Sequence, residues 1–340
     1  MKGNHMNTLL RDKCDAFLKH FRVLSEHEYF GSQQLILAMA GFYMSTGGEP
    51  DFARLKESEK ILYESESIFS RLRGNGEFFI RAKMAMTNDP GYYLDQLKTV
   101  YELFRPGIIG DEQAIMEAMT IVDYASPTDY EAMVKKTDEV YKEMKRTHLF
   151  LTKEDDKPFA ALMAVLGTDP KTTHARAEAA FKYLKDRFDD DKDTIQSLSH
   201  VISLTDGDLQ DICARICTLA QKLRKAGIRF DGQRRAAILG AFADTDISTD
   251  EISALITEAD QYLAKHEPFS GPLGIERESR HLYAVQCAHA SVPSSSSSIP
   301  AAVTSAIEFS ALTDMAMRLI MNEYELKDIV AETVTDNQRI

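Results

Sequence analysis

The chain has 340 residues, with 53 Asp and Glu against 40 Lys and Arg, a formal charge of −13, and 44% hydrophobic residues. That composition is globular, not disordered, and its acidity argues against a broad nucleic-acid footprint or docking on anionic lipid. Gly (17) and Pro (10) together are only 27 of 340 residues, about 8% against a usual ~12%, so turns are few and helices are favoured.

In chain order, apolar residues recur at three- and four-residue spacing almost throughout, which predicts an all-α fold. A first helix over 9–24 is expected to cap the first hairpin after it. Short, very apolar helices are then predicted over 33–44, 77–87, 112–124, 154–166, 194–204, 233–242 and 276–289. Each is followed by a longer amphipathic helix, such as 130–146 with Glu131, Lys135, Asp138 and Lys142 on its polar side.

The junctions between the two kinds of helix carry cap signals: Glu49-Pro50-Asp51, Asp89-Pro90, Ser126-Pro127, Asp169-Pro170, Asp206 and the capping box Ser248–Glu251. They lie 40, 37, 43, 37 and 42 residues apart. A second marker near the ends of the amphipathic helices, Phe104, Met144, Leu184, Leu223 and Leu263, steps by 40, 40, 39 and 40. One hairpin of this kind cannot bury its apolar face alone, so six or seven stacked αα-hairpins of about 40 residues are expected to share a continuous core. They form either a solenoid or an α/α toroid; the sequence leaves both open. The predicted organisation is a single repeat domain over 1–290, a Ser-rich linker over 291–299, a helix over 300–326 and a polar tail over 327–340.

The N-terminus shows no apolar core of a secretory signal, and the longest uncharged apolar stretch, 35–44, is far short of a membrane span. Four scattered cysteines give neither a disulfide framework nor a zinc pattern. Cys213 and Cys217 share one helix face, where two small core residues are expected. A cytoplasmic protein is the simplest expectation. Its partner is expected to be a protein or peptide, or a second copy of the chain through 300–325, and not nucleic acid.

Several constellations carry possible chemistry. In the run from Thr147 to Asp156, His148 with Asp155 and Asp156 has the residue types of a divalent-metal or acid–base site. Capping is the competing role, with Thr152 as N-cap, Asp155 three residues on, and Leu149 and Leu151 sealing the loop. His200 interrupts an apolar helix, either satisfied in the core or lining an interior site. Arg71 and Arg73, beside Gly74, could hold a phosphate or carboxylate, or pair with a neighbouring acidic helix. No P-loop, HExxH, GxSxG, EF-hand or dinucleotide fingerprint is present.

On the stretches Ile68–Asn75, Tyr141–Leu162 and Gln196–His200, the sequence resembles a bacterial family known as domain of unknown function 4003. The resemblance covers about residues 10–292. The segment from Pro268 to Ala284 is similar to that family's closing glycine-aromatic motif but lacks its tryptophan; the chain contains none. The resemblance implies a cytoplasmic bacterial protein without a known activity, and it singles out Arg71, Arg73, His148, Asp155, Asp156, His200 and Arg280 as candidate binding residues. Two functions compete. One is a binding scaffold with a peptide, protein or ligand groove. The other is an enzyme of the α/α-toroid type, using His148, Asp155, Asp156 and His200 in a central pocket. No cofactor or metal is specified.

Overall fold

A computed structural model describes residues 6–26, 33–66, 70–74, 76–104, 112–167, 169–188, 190–230, 235–243, 245–271 and 275–292. The side chains of Arg71, Glu112, Asp155 and Arg235 lie outside that description, as do the predicted linker from residue 293 on, the C-terminal helix and the tail. Among the described residues all regular structure is helical, with no strand.

The helices are α1 (Thr8–Ser25), α2 (Gln33–Thr46), α3 (Phe52–Ser65), α4 (Glu77–Met86), α5 (Pro90–Leu103), α6 (Glu112–Tyr124), α7 (Tyr130–Thr147), α8 (Lys157–Leu166), α9 (Pro170–Leu184), α10 (Lys192–Ser203), α11 (Leu209–Lys225), α12 (Thr249–Leu263) and α13 (Arg277–Ala290). Between α11 and α12 the segment Arg235–Phe242 winds as a 3₁₀ helix. It packs on α10 at Gly240, where an added Cβ would lie 2.3 Å from Val201 Cγ1. Only a residue without a Cβ permits that approach.

The starts of many helices follow local chemistry. Asp51, Asp89, Asp169, Asp191 and Asp208 each accept a first-turn N–H, and Pro90 and Pro170 occupy the first helical positions. Ser248 and Glu251 form the reciprocal capping box. The cap before α11 is Asp208, not Asp206. The carbonyls of Thr205 and Gly207 accept from Arg176 Nη2 (2.7 and 3.0 Å), so the turn between α10 and α11 runs two residues longer.

Two kinds of helix alternate. The even-numbered α2 to α10, the 3₁₀ segment and α13 are buried over most of their surface; in α2 every residue from Leu35 to Met44 is buried. The others are amphipathic. In α7 the buried positions are Tyr130, Val134, Thr137, Val140 and Met144, a single 3–4-spaced stripe. An apolar cluster runs from Leu10 to Ala288 through most of these elements.

Basic side chains of the amphipathic helices reach the C-terminal ends of buried ones or the turns that follow them. Arg54 donates to Thr87 O, Lys136 to Gly167 O (2.9 Å), Arg176 to Thr205 O, and Arg215 to Ile247 O (2.6 Å). A cation there satisfies carbonyls at a helix end or in the turn that follows it.

The first and last helices also meet. α1 packs on α12 and α13, and α13 packs on α2. Phe17 stacks on Tyr283 with centroids 4.9 Å apart and lies 6.2 Å from Phe269. Gln286 Nε2 donates to Ser45 Oγ (3.0 Å), and Tyr262 Oη to the Asp15 carboxylate.

Candidate functional site

The chain leaving α7 makes a short corner. His148 N–H donates to Met144 O (2.9 Å), closing the helix, and Thr152 N–H donates back to His148 O (2.8 Å). Thr152 is buried: its hydroxyl donates to Met144 O (3.2 Å) and accepts from Gln196 Nε2 of α10 (2.9 Å). With both ends of the corner pinned, Leu149 and Phe150 at its tip stay outside. Leu149 is 61% and Phe150 94% exposed, while Leu151 packs partly on the core. Leu149 therefore does not seal the loop as the sequence suggests, because Thr152 takes the interior place.

His148 lies against α9. Its Nε2 is 2.7 Å from Glu178 Oε1, and its ring is 4.7 Å from that of Phe181. Beside it Thr147 Oγ1 and His174 Nε2 share a hydrogen bond of 2.8 Å. This half-buried imidazole–carboxylate contact can hold and pass a proton. Among the described residues no group of three or more His, Cys, Asp or Glu is arranged to hold a metal ion.

The other candidate residues have their own neighbours. Asp156 is fully buried, and its Oδ2 accepts from Lys153 N–H (2.8 Å) at the entrance to α8. The cap is thus Lys153 with Asp156, one residue later than the expected Thr152 with Asp155, because Thr152 faces inward. His200 is buried on α10, 6.0 Å from the Phe159 ring. Arg73 lies over the Tyr63 ring at 3.8 Å and donates to Glu66 O (3.4 Å). Arg280 grips Asp260 through Nε (2.7 Å) and Nη2 (3.3 Å). The side chains of Arg71 and Asp155 fall outside the described set. His148 and Asp156 thus stand at the two ends of the α7–α8 connection, while His200 and Arg280 have their neighbours on other elements.

Sequence reasoning passed over a cavity of about 240 Å³ beside the end of α11, lined by Arg187, Arg224 and Arg229 together with Cys217. A signal existed in the sequence: the basic run closing α11 ahead of Gly227, on the same helix as the two cysteines.

Burial lowers the pKa of His20, His174 and His281 below the ordinary 6.5, and nearby carboxylates, Glu49, Glu178 and Asp260 respectively, only partly offset it. A lowered histidine binds fewer protons folded than unfolded. Its contribution is therefore complete above about pH 6.5 and is lost as pH falls from there through the folded value. Urea midpoints should drop between pH 7.5 and 5.5, before carboxylates titrate. Substituting His174 with Gln should flatten that drop, and an unchanged slope would sink the assignment.

These features define an all-helical protein of packed helices, with no helix among the described residues long and apolar enough to cross a membrane. The most exposed large apolar side chain among the described residues, Phe150, sits on an inter-helix corner. Residues 21–308 match the family described as "Protein of unknown function (DUF4003)", and the chain belongs to that family. No curated protein and no solved structure gives a significant match.

Proposed function

We propose that the chain is a cytoplasmic bacterial binding scaffold: seven αα-hairpins over residues 1–290 closed into one α/α ring, presenting the corner after α7 to a peptide or protein partner. The ring reading is supported by the packing of α13 on α2 and of α1 on α12 and α13, and by basic residues at positions 54, 136, 176 and 215 that serve equivalent helix ends about 40 or 80 residues apart. Four buried free cysteines suit a reducing compartment.

One observation carries the binding role: Phe150 at 94% exposure beside Leu149 at 61%, held outward by Thr152. Burying such a side chain is worth about 1.5–3 kcal/mol, a gain that this corner leaves to an intermolecular contact. A catalytic reading draws on the His148–Glu178 contact, but it also asks Asp156, which caps α8, and the buried His200 to serve the same reaction.

A photo-crosslinking amino acid at position 150 in cells should give a discrete adduct that the same probe at exposed Tyr92 does not. Identical adducts from both positions, or none from 150, would remove the proposal. An adduct of twice the chain mass would make the partner a second copy. Phe150→Ser should change stability by less than about 0.5 kcal/mol, since the ring touches little in the free protein.

A further inference from the structure

The hydrogen bonds at the end of α7 fix a histidine tautomer. Thr147 Oγ1 donates to Glu143 O (3.1 Å), the carbonyl one turn back. A carbonyl only accepts, so the single hydroxyl proton is committed there. Toward His174 the same oxygen therefore accepts, and the 2.8 Å contact assigns the ring proton to Nε2. In the neutral ring Nδ1 is then the bare nitrogen. It is buried and meets no hydrogen-bond partner among the described residues.

This bond ties two helices together at the corner. His174 is a buried residue of α9, while Thr147 is the last residue of α7, three positions before Phe150. Charged groups bear on the ring from several sides: Glu178 one turn on in α9, Glu143 and Arg146 from α7, and His148 from the corner. The other helices packed on α9 carry ionisable groups with neighbours of their own. On α8, Lys157 pairs with Glu154 (2.5 Å). On α10, Asp193 pairs with Lys153 (3.2 Å), His200 lies beside Phe159, and Lys192 is exposed. From α11 the Cys213 thiol lies within electrostatic reach of Arg176. The two histidines of the corner differ in what would receive a proton. His148 Nε2 lies 2.7 Å from Glu178 Oε1, so a proton there meets a carboxylate. A proton on His174 Nδ1 meets no acceptor in place.

We propose that His174 is a proton-operated latch on the corner: on taking a proton from solvent at Nδ1, the ring turns that N–H toward Glu143 or Glu178, breaks from Thr147, and unpins the last turn of α7 from α9. As regulation of partner binding this rests on the corner being the docking site; the latch itself does not. The driving force is the cost of a cation in a buried place. An imidazolium has two N–H donors, and the surroundings of the neutral ring accept only one. Burial accordingly holds the pKa of His174 below the ordinary 6.5, with Glu178 and Glu143 offsetting it in part. With the pKa lowered, the bond to Thr147 is complete above about pH 6.5 and is lost as pH falls from there through the folded value.

The test is amide hydrogen exchange on the full chain at pH 7.5 and 5.5, with protection factors corrected for the intrinsic pH dependence of exchange. The His148 and Thr152 amides bond to Met144 O and His148 O. Their protection should fall at least about tenfold on acidification. Protection of the Thr87 amide, which closes α4 (3.1 Å to Met84 O), should not. In His174→Gln the fall should vanish, because the side-chain amide keeps a donor for Thr147 and takes up no proton. In Thr147→Val, at an exposed position, protection should already be low at pH 7.5 and change little below it. His148→Gln should leave the pH response in place. Imidazole nitrogen NMR shifts read the parent chain directly: at pH 7.5 His174 should carry its proton on Nε2. A proton on Nδ1 instead, an equal fall in His174→Gln, an equal fall at Thr87, or a fall lost only in His148→Gln would each overturn the latch. These measurements need no partner, so a missing adduct at position 150 would end the binding role and leave the latch standing.

Discussion

Phe17→Ala should destabilise the protein by about 3–5 kcal/mol, the range for removing a buried aromatic ring from a packed core. Phe17 is fully buried in α1, yet its ring partners are Tyr283 of α13 and Phe269 just before it. The substitution therefore tests more than packing. If α1 only caps the first hairpin of an open stack, the damage should stay within α1 and α2. If α1 joins the two ends of a ring, amide exchange should accelerate together in α1, α12, α13 and α2, although α1 and α12 are separated by more than 200 residues of chain. Exchange confined to the N-terminal hairpin would end the ring reading, whatever the loss in stability.

Asp260→Ala should cost about 3–5 kcal/mol in equilibrium unfolding, nearer the lower figure because the paired side chains keep 12% and 13% exposure. Asp260 on α12 answers two groups of α13: the Arg280 guanidinium by a two-pronged contact, and His281 Nε2 at 3.7 Å. Without the carboxylate, the Arg280 cation is left with little water and without the counter-charge it grips. Replacing both partners, Asp260→Leu with Arg280→Met, should recover most of the loss, since an apolar pair of similar volume avoids the desolvation penalty altogether. The family resemblance singles out Arg280 as a binding residue; on this geometry it locks α12 to α13. An Arg280→Met protein as stable as the parent would show that the ion pair contributes nothing.

What could be read in the sequence tracks the range of the interaction. Ser248 and Glu251 are three residues apart, and their reciprocal cap depends on nothing else, so the expectation and the structure agree. Asp89-Pro90 and Asp169-Pro170 behave likewise. The expectations that shifted had a distant partner. The cap expected at Asp206 moved to Asp208 because Arg176, on the preceding amphipathic helix, holds the intervening turn. The cap expected at Thr152 moved to Lys153 because Gln196, 44 residues on, draws that hydroxyl inward. The same pull exposes Phe150, so the candidate interaction corner is a consequence of a contact that no local pattern displays.

Composition, helical period and cap spacing thus determined by themselves that this is an all-helical chain, and where most of its helices begin. Each depends on side chains within about four residues of one another, where helix geometry fixes the distances. The tertiary structure alone decided that Phe17 would rest on Tyr283, that Thr152 and not Leu149 would be buried, and that Arg187, Arg224 and Arg229 would line one apolar cavity. Those outcomes depend on the angles at which successive helices pack. Small rotations at each junction add up along the chain, and no residue records their sum in its own neighbourhood.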